Sequence, residues 1–463
     1  MFKICFHTMI VLAVLAITAL PIAASDAAEA EVLQLLREDR PFHSIPPDLF
    51  EQLGWDLPDD GAQVKSLADN AAGSAFDPRR LEALPADSLG YRAKWHEVKY
   101  EVYGLEWDIP GLLLTPNDPV PGLPTVAIIN GGSANWYEFF LDPLNGPGLG
   151  QYLAQKVPVL LITIPGNYRH GGWQGQEELQ DRVPGYVLDR NISAEEARLR
   201  NAVFTFRVIT EGVRRLIETT TSGPVLVVGH STGGEIRFLL EESSLKTRMG
   251  GLSLGWGTGG PASLDKVVQD AQEARAENLE RFASYPPLWE LRARSPEGYV
   301  RSKYIGPLNP SGGNTDLAVA RRWHELVGHR RPQFKQVLQD LEHQGAEALR
   351  ERAVKEIRQA LEGNKLGVNP DEVIPDLFST LRAPVTGYRK MIWAVAQKDN
   401  GHWNADPEKA LEFRIAKAFR QQNPDIPIRV MVFDVPMTHY GHIEKARQVA
   451  GGLLAAMRWL MEP

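Results

Sequence analysis

Two stretches of the 463-residue chain have the spacing G-x-S-x-G: Gly229, His230, Ser231, Thr232, Gly233, and Gly251, Leu252, Ser253, Leu254, Gly255. A serine among small neighbours acts as a nucleophile when it sits on a sharp turn from a buried strand into a helix. There the glycines let the backbone bend tightly and leave Oγ exposed. Ser231 has that context, because the apolar run Pro224–Val228 precedes it, Gly233 and Gly234 follow, and Glu235–Glu242 is compatible with a helix. Ser253 lies inside a strand-like run and is followed by Trp256, Gly257, Gly259, Gly260 and Pro261 in place of a helix, so a structural role is expected for it. Gly255, Gly257 and Gly260 also spell G-x-G-x-x-G. A dinucleotide site would need a further strand ending in an acidic residue about 20 positions on. Charged, helix-like sequence stands there, so no cofactor is expected.

The elements that would carry such a serine are legible from hydrophobic periodicity. Trp95–Val102 and Leu105–Leu114 alternate as an antiparallel pair. Short apolar runs then recur at Pro124–Asn130, Val157–Ile164, Pro224–Val228, Gly250–Leu254, Lys390–Ala396 and Ile428–Val435, with helical stretches between them. Strands of this kind spaced by helices imply a buried, mostly parallel sheet in an α/β protein. From Asp265 to about Arg382 no strand pattern appears and the sequence is charged and amphipathic, which predicts a helical insertion between two sheet strands.

With its strands and serine in this order, the chain resembles the α/β-hydrolase superfamily over roughly 94–264 and 388–460, and is similar to its secreted esterase, lipase and serine-peptidase branches. The residues that carry the resemblance are PTVAIINGGS at 124–133, GHSTGG at 229–234, AVAQKD at 394–399 and THYGH at 438–442. The resemblance implies a mostly parallel sheet flanked by helices, with a large helical cap inserted between the strands near 250–254 and 390–396. It implies Ser231 as nucleophile, and a late histidine as base held by a carboxylate. Gly441 before His442 and the amphipathic run Glu444–Leu460 after it favour His442 as the base over His439, which would then be a neighbour in the cleft or a structural histidine. Asp399, just past the penultimate strand, is the favoured acid, with Asp406 and Asp265 as alternatives. An oxyanion hole would take one N–H from Thr232 and a second from Gly132 or Ser133. Asn130 stands where the family's His-Gly-Gly motif has its histidine. The H-x-x-H spacing of His439 and His442 is also a metal-ligand spacing, but no third ligand in fitting context accompanies it, so no metal is expected.

Tyr168, Arg169, His170 and Trp173 follow a strand on the same sheet edge, where open α/β folds gather ligand contacts, and are candidates for substrate binding. The insertion starts beside that edge, which favours a lid over a separate structural unit. The organisation expected is a signal peptide at 1–28, an N-terminal arm at 29–93, a hydrolase core at 94–264, a helical cap at 265–385 and the rest of the core at 386–463. The substrate class implied is a small-molecule ester or amide. A peptidase or amidase with the same triad is the alternative, and a non-catalytic binding protein of this fold is a more distant one.

Composition bounds the partners. Lys plus Arg number 50 against 58 Asp plus Glu, so the net charge is 50 − 58 = −8, which argues against a nucleic-acid binder. The only cysteine, Cys5, lies in a leader-like segment with Lys3, the apolar run Met9–Leu20 and small residues from Ala23 to Ala28. Cleavage between Ser25 and Ala28 would export a cysteine-free chain to a periplasm or the medium, with no stable membrane span after maturation. The sequence leaves the oligomeric state open.

Overall fold

A computed structural model describes residues 33–38, 43–45, 78–130, 136–142, 146–164, 205–231, 249–256, 361–377, 390–396, 424–433 and 445–462, with isolated positions between them that include Gly233, Gly234 and His442. Eleven strands are present among these residues: β1 His43–Ile45, β2 Tyr91–Val102, β3 Leu105–Pro116, β4 Thr125–Ile129, β5 Leu141–Asp142, β6 Gly146–Pro147, β7 Val159–Ile162, β8 Val225–Ser231, β9 Met249–Trp256, β10 Met391–Ala396 and β11 Ile428–Phe433. β5 and β6 pair with each other, and the other nine form one sheet in the order β1-β11-β10-β9-β8-β4-β7-β3-β2. From β1 to β7 in that order all neighbours are parallel, while β3 runs antiparallel to β7 and β2 antiparallel to β3.

Burial on both faces explains why the central strands read as near-continuous apolar runs. β4, β7 and β11 are buried along their whole length. Successive residues alternate between two apolar clusters: Ala127, Ile129, Val225 and Val227 face one, and Val126, Ile128, Leu226 and Val228 face the other. The helix Phe206–Thr220 covers the first face with Ile209, Val213, Leu216 and Ile217, a helical spacing. The C-terminal helix Ala446–Met461 and the short helix Leu149–Leu153 cover the second.

The chain leaves β4 to build β7 on one side of it and returns to build β8 on the other. Such a reversal opens a crevice at the carboxyl ends of the strands, and β4 ends there at Ile129 while β8 ends at Ser231.

The arm before β2 belongs to the body. Leu36 is fully buried in the second cluster, its carbonyl accepts a hydrogen bond from Arg429 Nε at 3.0 Å, and Arg37 pairs with Glu462 near the other end of the chain. β1 then adds a parallel edge strand beside β11. Three residues are too few for an alternation to be read, which is why periodicity does not reveal this strand.

The far end of the stretch 265–385 also packs on the body. Leu361, Val368 and Val373 are buried in the first cluster, and Asp376 of the helix Pro370–Leu377 accepts a hydrogen bond from Tyr103 Oη at 2.6 Å. Tyr103 and Gly104 both have positive φ and make the tight β2–β3 turn, so this segment grips the tip of that hairpin. The apolar side chains of this segment are therefore spent on the core. Residues 265–350 lie outside the described residues.

Truncating Leu36 tests whether the arm is structural. Leu36→Ala removes a fully buried side chain, and a loss of about 2–5 kcal/mol of stability is expected in denaturant or thermal unfolding. A loss under about 0.5 kcal/mol, typical of a surface position, would mean the arm is only loosely attached.

Candidate active site

β8 is paired with β4 and β9 up to Gly229 and His230, and the register slips between His230 and Ser231, where Ser231 comes opposite Trp256. Gly233, Gly234 and Ile236 are already helical, so strand gives way to helix within two residues of Ser231. The turn is tight enough to exclude side chains from its glycines. A Cβ on Gly229 would lie 2.2 Å from the Gly233 carbonyl oxygen, and a Cβ on Gly233 would lie 2.2 Å from the carbonyl oxygen of Ile129. Both clashes are with backbone, which cannot move aside as a flexible side chain does. The strand–turn–helix arrangement expected around Ser231 is thus present, and it presses directly on the end of β4.

Ser253, the other serine in a G-x-S-x-G context, sits in mid-strand. Its backbone is paired with Gly229 on one side and Trp393 on the other. A residue laddered on both sides is not on a turn, which agrees with its expected structural role.

The segment 131–135, which carries Gly132 and Ser133, lies outside the described residues, but both of its ends are fixed. Asn130 is fully buried, and its Oδ1 accepts the Ile164 N–H at 2.8 Å. At the other end the Trp136 N–H donates to Thr163 Oγ1 at 2.9 Å. Two neighbouring residues beyond the end of β7 therefore hold the two ends of this segment. Asn130 acts here as a tie between strand ends, a role that its place in a Gly-Gly motif does not announce.

Behind Trp136 the short helix Tyr137–Phe140 is held from below. Gln151 Nε2 donates to the Phe140 carbonyl at 2.6 Å, and Gln151 Oε1 accepts from Tyr91 Oη at 2.6 Å. Burial pushes the Tyr91 phenol well above its ordinary pKa, so it remains a donor throughout the working pH range. A Cβ on Gly150 would stand 2.9 Å from the Phe139 carbonyl oxygen, so glycine is what lets the supporting helix come this close.

Three rings meet above this support. His442 stacks on Phe139 with centroids 4.5 Å apart and planes inclined by 22°, and it lies 4.0 Å from the His230 ring at 53°. Phe139 and His230 meet edge to face at 6.0 Å. All three are buried, with 1%, 2% and 3% of the surface of Phe139, His230 and His442 exposed. The fold therefore brings His442 against the residue that directly precedes Ser231. Sequence reasoning passed over His230 and Phe139. The signal for His230 was available: in β8, Leu226 and Val228 face the second cluster, and the same parity puts His230 on that face, the one covered by the C-terminal helix.

The other residues expected in the site lie outside the described residues: Thr232, Asp399 with its alternatives Asp406 and Asp265, His439, and Tyr168, Arg169, His170 and Trp173. Of Ser231 itself the backbone alone is described. Among the described residues no group of three His, Cys, Asp or Glu side chains stands together as a metal site, and no helix is long and apolar enough to cross a membrane.

The strand order, the antiparallel hairpin at one edge of an otherwise parallel sheet and the glycine-lined turn after β8 define the α/β-hydrolase fold. No family model matches the sequence, and no curated protein matches it well enough to count as a relative. Solved structures that are similar in fold include an epoxide hydrolase from Vigna radiata, at 12% identity over 79% of this chain and 98% of that one, with a TM-score of 0.35. A serine hydrolase from the polyaromatic-hydrocarbon-degrading bacterium Cycloclasticus zankles matches at 13% identity over 78% and 97%, with a TM-score of 0.34. An esterase from a marine microorganism matches at 11% identity over 75% and 98%, with a TM-score of 0.33.

The turn glycines give a stability test independent of any activity. Gly229→Ala and Gly233→Ala should each destabilise by about 3 kcal/mol or more, or prevent folding, because a backbone clash cannot be relieved locally. Gly223→Ala, which has φ +79 but nothing within 4 Å of the added Cβ, should cost only about 1 kcal/mol. Equal melting temperatures for the three variants would show that the turn is looser than described.

Proposed function

We propose that the protein is a secreted serine hydrolase that cleaves carboxylic esters through an acyl-enzyme on Ser231. The observation that carries this reading is the placing of His442, buried on Phe139 and His230, beside a strand-to-helix turn too tight for any side chain at Gly229 or Gly233. In this mechanism His442 takes the Ser231 hydroxyl proton as Oγ attacks the ester carbonyl, and Asp399 holds the imidazole in the tautomer that can accept it. The oxyanion of the tetrahedral intermediate is met by the Thr232 N–H and by an N–H of Gly132 or Ser133, on the segment whose ends Asn130 and Trp136 fix. His442 then protonates the departing alkoxide, and a water, activated by the same base, releases the acid. Tyr168, Arg169, His170, Trp173 and His439 line the acyl and alcohol pockets, and the helical insertion that begins at 265 supplies the lid. Export rests on the leader-like residues 1–28. A mature chain that starts between Ser25 and Ala28 would bear this out, and one that starts at Met1 would not.

The experiment is to assay a panel of acyl esters and peptide amides while labelling with a fluorophosphonate. Ser231→Ala should abolish labelling and lower turnover by about 10⁴-fold or more, and Ser253→Ala should label as the wild type does. His442→Ala should lose nearly as much as Ser231→Ala, and the double variant little more, because residues acting as a unit are strongly non-additive. A dead His439→Ala beside an active His442→Ala would move the base, and faster turnover of amides than of esters would make the protein a peptidase or amidase.

A further inference from the structure

We propose that His230 and Phe139 are positioning residues that fix the orientation of the His442 imidazole, an inference that rests on the reading of His442 as the base. The outer torsion of a histidine side chain is broad and soft, so the ring direction has to be set by what surrounds it. A carboxylate on one nitrogen is the usual device. Here the ring faces are engaged as well: Phe139 lies 4.5 Å away and nearly parallel, and His230 lies 4.0 Å away at 53°. Turning the imidazole would drive it into one neighbour and open a void against the other, and a close-packed interior resists both.

Each partner is itself held by a different part of the machinery. His230 is the residue before Ser231, in a strand paired with β4 as far as Gly229 and with β9 through His230, so the position of its ring is tied to that of the nucleophile's backbone. Phe139 belongs to the helix that follows the 131–135 segment, and this helix is anchored through the Gln151 hydrogen bond to Phe140 and the close approach of Gly150. The stack thus couples nucleophile turn, oxyanion segment and base.

The effect should fall on turnover and spare substrate binding, since His230 and Phe139 are buried and are not among the residues proposed to line the substrate pockets. Misplacing a catalytic group by about 1 Å can cost about 100-fold. His230→Ala and Phe139→Ala are therefore expected to lower kcat by about 10- to 100-fold with KM within about threefold of the wild type. His230→Phe, which restores a ring without titratable nitrogens, should recover most of kcat, whereas His230→Gln, which keeps a polar nitrogen without a ring, should not. Thermal melts identify which variants fold, and if the alanine variants do not, the comparison of Phe with Gln at position 230 decides. A folded His230→Ala with kcat within twofold of the wild type overturns the inference, as does better rescue by Gln than by Phe. These results presuppose an active wild type: no hydrolysis and no labelling by the wild type would end the serine-hydrolase reading and this inference together, whereas an active wild type with indifferent variants ends this inference alone.

Discussion

Two stretches of backbone, the turn after β8 and the end of β4, occupy nearly the same space, and the remainder of the site is arranged around that contact. Gly233 packs so closely against Ile129 and Asn130, and Gly229 against Gly233, that a single methyl group at either glycine would overlap main-chain atoms. The approach is possible because β4 and β8 are adjacent parallel strands whose carboxyl ends finish at the same level, with Ile129 paired to Gly229. It forces the chain out of the sheet at Ser231 and into a helix immediately. It also brings that turn up to Asn130, where the segment 131–135 begins. A nucleophile and a set of backbone donors need to be close and rigid, and backbone packed on backbone is stiffer than any side-chain contact could be.

Burial on both faces of the sheet then decides which residues surround that point. The parity of β8 sends His230 to the face covered by the C-terminal helix, and His442 lies just ahead of the first turn of that helix. Phe139 arrives on the same face from the segment after β4. The meeting of the three rings follows from strand parity and helix placement. Distant ties make the arrangement durable: the arm through Leu36 and Arg429, the C-terminus through Arg37 and Glu462, and the hairpin tip through Tyr103 and Asp376.

Much of this was legible in the sequence because the relevant signals are local. An apolar run of five to eight residues bounded by glycine or proline marks a buried strand, and all the central strands fall within a few residues of those runs. Ser231 was separable from Ser253 because the residues after each differ in their capacity to start a helix, and the ladder around Ser253 agrees with that distinction. What stayed hidden depends on long-range packing. β1 is too short to show a period, and residues 361–377 fall in the stretch expected to form the cap, although their apolar side chains are used on the core. Asn130 reads as a substituted motif residue, yet its side chain is a tie to Ile164, a contact over 34 positions that no local pattern encodes.

The most direct measurement is a crystal structure of the protein after reaction with a small organophosphate ester. Density should be continuous from phosphorus to Ser231 Oγ, with a phosphoryl oxygen facing the Thr232 N–H and the 131–135 segment, and with the His442 ring still stacked between Phe139 and His230. An adduct on another residue, or a His442 ring turned away from Ser231 with that stack intact, would contradict it.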